Sequence, residues 1–219
     1  MKKIQLIDAI IDFLASDAAG DSKGIYHPEI AKQHLNSVFN DVVYNTWLNG
    51  KKYSDFSQLD AWSRVYECDV EDQVGTAAHA FLPFSPMQLP DGMGIRQLCD
   101  HDDNTNVFAP VEATSNAIFS ELEVWTMDAT PTYRLEQNNL FTGAGESSHL
   151  LRLEKLPVAP DAITSVDAML IVPMDQIDDY DDIALPSGMS DNIIRQVIDL
   201  MSKKPAPDML NDMVIEKKA

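Results

Sequence analysis

The hydrophobic pattern of this chain changes period near Leu59, and that change most limits what it can fold into. Upstream, apolar residues recur every three or four positions. Ile7, Ile10, Ile11 and Leu14 do so within 3–16, with Asp8 and Asp12 on the opposite face. Pro28 and Glu29 suit a first helical turn, and Leu35, Val38, Phe39, Val42, Val43 and Trp47 continue the stripe to Gly50, the expected stop. A polar break from Gly20 to Gly24 would let the two helices form a hairpin.

Downstream the period is two. Trp62, Arg64, Tyr66, Cys68 and Val70 share one face of an alternating run, with the arginine as the misfit. Short β-like runs follow at 78–82, 94–99, 106–109, 132–136, 140–142, 150–156 and 168–172, with turn residues such as Asp91-Gly92 and Asn138-Asn139 between them. A short helix fits 115–124. Such close spacing favours antiparallel pairing over crossover units. The last helix, at 188–203, presents Ile193, Ile194, Val197, Ile198 and Met201, with Ser187 or Ser190 as its cap, and Pro205 stops it. The predicted fold is α+β: an antiparallel β core, as a small sandwich or barrel-like sheet, with an N-terminal helical hairpin and a C-terminal helix. The regions are 1–58, 59–186 and 187–219. Trp62, Tyr66, Val107, Leu151, Leu153 and Ile171 are the expected core.

Charge narrows function more than any motif does. The chain has 219 residues, 16 Lys and Arg against 35 Asp and Glu, and a formal charge of −19. Gripping nucleic acid through its phosphates needs basic patches, and an anionic membrane surface would repel such a chain. No apolar run approaches the roughly 18 residues of a spanning helix. Asp8 and Asp12 interrupt what could otherwise pass for a signal peptide. Cys68 and Cys99 make no CxxC pair and read as free thiols of a reducing compartment.

Catalytic patterns are sparse. Gly143-Ala144-Gly145 lacks the third glycine of a dinucleotide loop and reads as a turn. His27, His34, His79, His101 and His149 are scattered, and none is singled out as a triad member. Asp100-His101-Asp102-Asp103-Asn104 offers hard donors, but without calcium-loop spacing. The expectation is therefore no catalytic residue, no cofactor and no metal.

The stretch from Ile171 to Asp212 is the most distinctive. An apolar run ends at Pro173. Five aspartates (Asp175, Asp178, Asp179, Asp181 and Asp182) then crowd into eight positions, and Pro186 releases the chain into the last helix. Together with Leu89-Pro90-Asp91-Gly92-Met93-Gly94-Ile95 before the sheet, Met169-Leu170-Ile171-Val172-Pro173 after it, and Pro207-Asp208-Met209-Leu210-Asn211-Asp212 beyond the helix, this order resembles the ring, or head-to-tail connector, proteins of crAss-like and related tailed bacteriophages. The resemblance spans about residues 25–212. It implies a non-enzymatic virion protein, assembled in the host cytoplasm. Copies, twelve by that resemblance, would close a ring at the head-to-tail interface or tail, against the portal or neighbouring rings. DNA would pass without specific binding. The aspartate run would face the lumen or dock on a neighbour. The alternatives from the residues alone are a monomeric or dimeric accessory binding protein and an unrecognised hydrolase.

Overall fold

A computed structural model describes residues 1–17, 27–111, 130–137, 149–158 and 162–202. The expected Gly20–Gly24 turn, the helix at 115–124, the turns at 138–139 and 143–145, the strand at 140–142 and everything beyond Ser202 lie outside them. Two compact units are distinguished, Met1–Val42 with Asp179–Ala219, and Val43–Asp178.

The first unit is helical. It holds α1 (Lys3–Asp17), the first half of α2 (Pro28–Tyr53) and α4 (Met189–Ser202). Most of the expected apolar stripes are buried, with Ile11, Ile194 and Met201 half-buried. Leu6, Ile7, Ile10 and Leu14 of α1 and Ile193, Val197 and Ile198 of α4 are buried, and α1 packs on α4. Each such side chain contributes about 1.5–3 kcal/mol on leaving water. The start of α1 is fastened by main chain. The Lys3 and Ile4 N–H groups, which a helix cannot satisfy itself, donate to the Asp181 and Asp179 carbonyls at 3.2 and 2.8 Å.

Helix α2 crosses the boundary between the units and does not stop at Gly50. It runs to Tyr53, turns through Ser54 at φ 53°, and returns the Asp55 N–H to the Gly50 carbonyl at 3.0 Å. That six-to-one bond closes a helix on a left-handed residue, here serine rather than glycine. Gly50 has a different job. A Cβ there would lie 2.7 Å from the Phe56 ring and 2.8 Å from the Asp55 carbonyl oxygen, so its bareness lets the chain fold back.

The second unit is a β core. After the short helix α3 (Ser57–Asp60) come β1 (Arg64–Val74), β2 (Ala77–Phe81), β3 (Ile95–Asp100), β4 (Ala109–Pro110), β5 (Thr132–Gln137), β6 (His149–Glu154) and β7 (Ser165–Leu170). They form one seven-stranded sheet in the order β3-β7-β1-β2-β6-β5-β4, antiparallel except for β4 with β5. The sheet nearly closes into a barrel. The segment 106–111 first pairs with β3, through Phe108 N–H to Leu98 O at 2.8 Å, Asp100 N–H to Asn106 O at 3.1 Å and the Cys99–Val107 bridge. It then pairs with β5, through Ala109 N–H to Pro131 O and Val111 N–H to Tyr133 O, both 2.9 Å.

Leu98, Phe108, Leu151, Leu153, Val166 and Leu170 fill the interior, and Tyr66 packs edge-on against Phe84 at its margin. Of the expected core, Trp62, Leu151, Leu153 and Ile171 are buried and Tyr66 is half-buried, but Val107 is exposed. Its neighbour Phe108 points inward instead, because a strand presents alternate residues to opposite faces and the Cys99 pairing sets the phase. Arg64 lies at the exposed start of β1, its guanidinium 6.0 Å from the Tyr66 ring centre.

Candidate interaction surfaces

The five aspartates do not act as a group. Asp175 sits in the one-turn 3-10 helix Met174–Gln176 and is exposed, as is Asp178. In the helical unit Asp179 is drawn inward. Its carboxylate accepts from Lys32 Nζ at 2.6 Å, with Lys3 Nζ at 3.9 Å, and its side chain keeps only 28% of its surface. The Asp179 carboxylate holds the Lys32 ammonium above its ordinary titration range, with Glu29 adding a lesser pull. Asp181 gives its carbonyl to α1 and leaves its side chain in water, and exposed Asp182 has the Met1 nitrogen 3.5 Å away. Asp179 is thus a structural pin, and exposed charge remains at the other four.

A second acidic surface lies on the β unit. Glu67 of β1 and Asp167 of β7 are directly paired across the strands. Like charges so placed repel. His101, just past β3, stands between them, with Nδ1 2.9 Å from Asp167 and Nε2 3.8 Å from Glu67. The hydrogen bond to Asp167, then the charge of Glu67, raise the His101 pKa above its usual 6.5. The neighbouring Asp100 and Asp103 turn their carboxylates onto their own loop, accepting from the Asp102 N–H at 3.0 Å and from Thr105 at 2.6 and 3.0 Å. Among the described residues no three His, Cys, Asp or Glu side chains stand close enough to hold a metal ion.

The end of α2 carries the opposite character. Tyr44, Leu48 and Tyr53 are exposed. Tyr44 stacks on Trp47 at 5.5 Å, Lys51 Nζ lies 5.0 Å over the Trp47 ring, and Lys52 Nζ lies 5.3 Å over Tyr53. Positions 44, 48, 51 and 52 share a helix face. The sequence showed these residues, but its apolar stripe placed Trp47 in the core and gave no sign of the aromatic-basic patch beside it.

Two cysteines and one serine complete the reactive groups. Cys68 and Cys99 are free and buried. Burial pushes the Cys68 thiol up to about 12 and raises that of Cys99, so neither is a ready nucleophile. Ser85 Oγ lies 2.9 Å from His149 Nε2, and burial lowers the imidazole pKa. A serine beside a histidine is half of an acyl-transfer site. However, the Ser85 N–H, which could help hold an oxyanion, already donates to Gln176 Oε1 at 2.7 Å. The contacts of Ser85 brace the loop between β2 and β3. They join residues 64 and 91 positions apart, which no local pattern reveals.

Finally, a groove of about 480 Å³ is lined by the loop 86–92, the start of β3, and Pro110, Val111, Tyr133, Arg134 and Leu135.

No known family model matches the chain, and no curated protein matches it.

Proposed function

We propose that this chain is the subunit of a homo-oligomeric ring in the head-to-tail connector or tail of a tailed bacteriophage, forming part of the DNA exit channel. The observation that carries the self-association is the pairing of unlike surfaces on one β unit: the aromatic-basic end of α2, and the acidic outer face around Glu67, Asp69 and Asp167. A surface that complements a different surface of the same molecule makes head-to-tail contacts, and these close into rings when the rotation per subunit permits. The resemblance to connector ring proteins supplies the setting. An excess of 35 acidic over 16 basic residues suits a channel wall that must not hold phosphates.

Stable interfaces bury about 1,200–2,000 Å² in total, so single charge changes at the rim alter assembly more than folding. The test is native mass spectrometry and negative-stain imaging of the full chain. A closed ring of fixed copy number is expected. Lys51→Glu with Lys52→Glu should release monomers, and adding Glu67→Lys and Asp69→Lys should restore assembly. A chain that stays monomeric into the millimolar range overturns the reading.

A further inference from the structure

The acidic face of the β unit is built around a histidine. On the outward side of β1 and β7 the cross-strand pairs are Val65 with Met169, Glu67 with Asp167, and Asp69 with Ser165. Val65 is 56% exposed, so the carboxylates border an apolar spot, as Lys51 and Lys52 border exposed Tyr44 and Leu48 on α2. His101 is brought to this face from the end of β3, where its main-chain N–H donates to the Ser165 carbonyl at 3.2 Å. Its ring then meets Asp167 at 2.9 Å and Glu67 at 3.8 Å. Among the described residues, the charged groups that act on the ring are Asp167 from β7, Glu67 from β1 and Asp102 from its own loop. Asp100, at the end of β3, turns its carboxylate to the Asp102 N–H instead. Such a ring changes charge in a pH range where few other side chains do.

Protonated, the ring offsets one of the two carboxylate charges it touches and occupies the oxygens that a lysine would seek. Neutral, it leaves both charges in force. We infer that the proton on His101 controls docking of the Lys51–Lys52 end of α2 from a second copy onto the Glu67–Asp167 pair, so that copies associate as the imidazolium loses its charge. The inference rests on the self-association proposed above and names its regulation. The sign follows from linkage. An incoming ammonium repels the imidazolium, so docking lowers the affinity of His101 for its proton and releases it. Association is therefore weak at low pH, strengthens as pH rises toward the value at which the free subunit loses this proton, and is flat above it. One unit charge about 6 Å from an ammonium changes an affinity roughly three- to a hundredfold, between the dielectric of water and that of a protein surface. A closed ring repeats the effect at every interface.

The test is sedimentation velocity of the full chain at pH 5.5 and pH 8.5, at equal ionic strength and well below the melting temperature of each variant. The parent should associate at least threefold more tightly at pH 8.5. His101→Gln, always neutral, should associate strongly at both pH values, and His101→Lys, always charged, weakly at both. Opposite shifts from two substitutions at one position separate charge from a general loss of packing. Association of the parent near neutral pH should also release protons, read by calorimetry as a heat that varies with the ionisation enthalpy of the buffer. A parent that is indifferent to pH, tighter at pH 5.5 or silent in proton release overturns the control and leaves the ring standing. The same holds if the pH dependence survives in His101→Gln. Monomers at both pH values for the parent and for His101→Gln overturn the ring, and this inference with it.

Discussion

Leu135 and Leu151 stand directly opposite each other on β5 and β6, both turned toward the barrel interior, yet Leu151 is fully buried and Leu135 keeps 38% of its surface. Two leucines in one cross-strand pair should therefore report two different environments. Leu151→Ala should cost about 2–5 kcal/mol, the range for a buried leucine that leaves a cavity. Leu135→Ala should cost well under half of that, because its side chain still touches water. Chemical denaturation of both variants, with unchanged dependence on denaturant, checks the ratio, and equal losses would mean that the two leucines are equally packed.

Gly94 gives a sharper backbone test. A Cβ at this position would sit 2.1 Å from the Met87 carbonyl oxygen. No side chain can swing away to relieve that contact, because the obstacle is main chain, held by the Met87 N–H to Ile171 O bond at 2.7 Å. Gly94→Ala should rank among the most damaging single changes, above about 3 kcal/mol. A thermal melt near that of the parent would show that the 86–94 loop is looser than this packing.

The period change at Leu59 made the fold class legible, because helices and strands bury different residue spacings. What stayed hidden depends on chain meeting chain. The strand that nearly closes the barrel pairs with β3 and then β5 over a few residues, too briefly to leave a pattern, and its phase decides that Phe108 and not Val107 is buried. Gly50 read as a stop because glycine so often ends helices, whereas here it serves a close approach to Phe56. Nothing in the aspartate run set Asp179 apart from its neighbours, because its partner Lys32 is 147 positions away.

His101 makes stability depend on pH in a stated direction. Its pKa is raised above 6.5 in the folded protein by Asp167 and Glu67. A group raised on folding binds its proton more tightly in the native state, so its contribution is complete below about 6.5 and fades as pH rises through the folded value. His101→Gln should therefore lower the melting temperature at pH 5.5 more than at pH 9, since the cross-strand carboxylates lose their cation. Salt should blunt the difference, because the cluster is exposed and screened within about 8 Å at physiological ionic strength. Equal losses at both pH values would assign His101 a packing role only.

The aspartate run separates by the same reasoning. Asp175, Asp178, Asp181 and Asp182 are exposed, whereas Asp179 is held by Lys32 at 2.6 Å and approached by Lys3 at 3.9 Å. Asp179→Asn removes the charge that two ammonium groups face and should lower the melting temperature of the full chain. With the Lys32 pKa raised on folding above 10.5, that pair's contribution is present below this value and lost as pH climbs through the folded one, so parent and variant should converge in strong alkali. Replacing Asp175, Asp178, Asp181 and Asp182 together by asparagine should leave the melt within a degree or two, as surface changes usually do. In the proposed ring their role would belong to the assembled particle. If they line the lumen, the fourfold variant assembles normally but slows genome release, because phosphates are no longer repelled. If they dock on a neighbouring ring, the same variant sheds that ring, and more readily in salt. A fourfold variant that melts early instead would show that these carboxylates hold the fold and leave no free charge for either task.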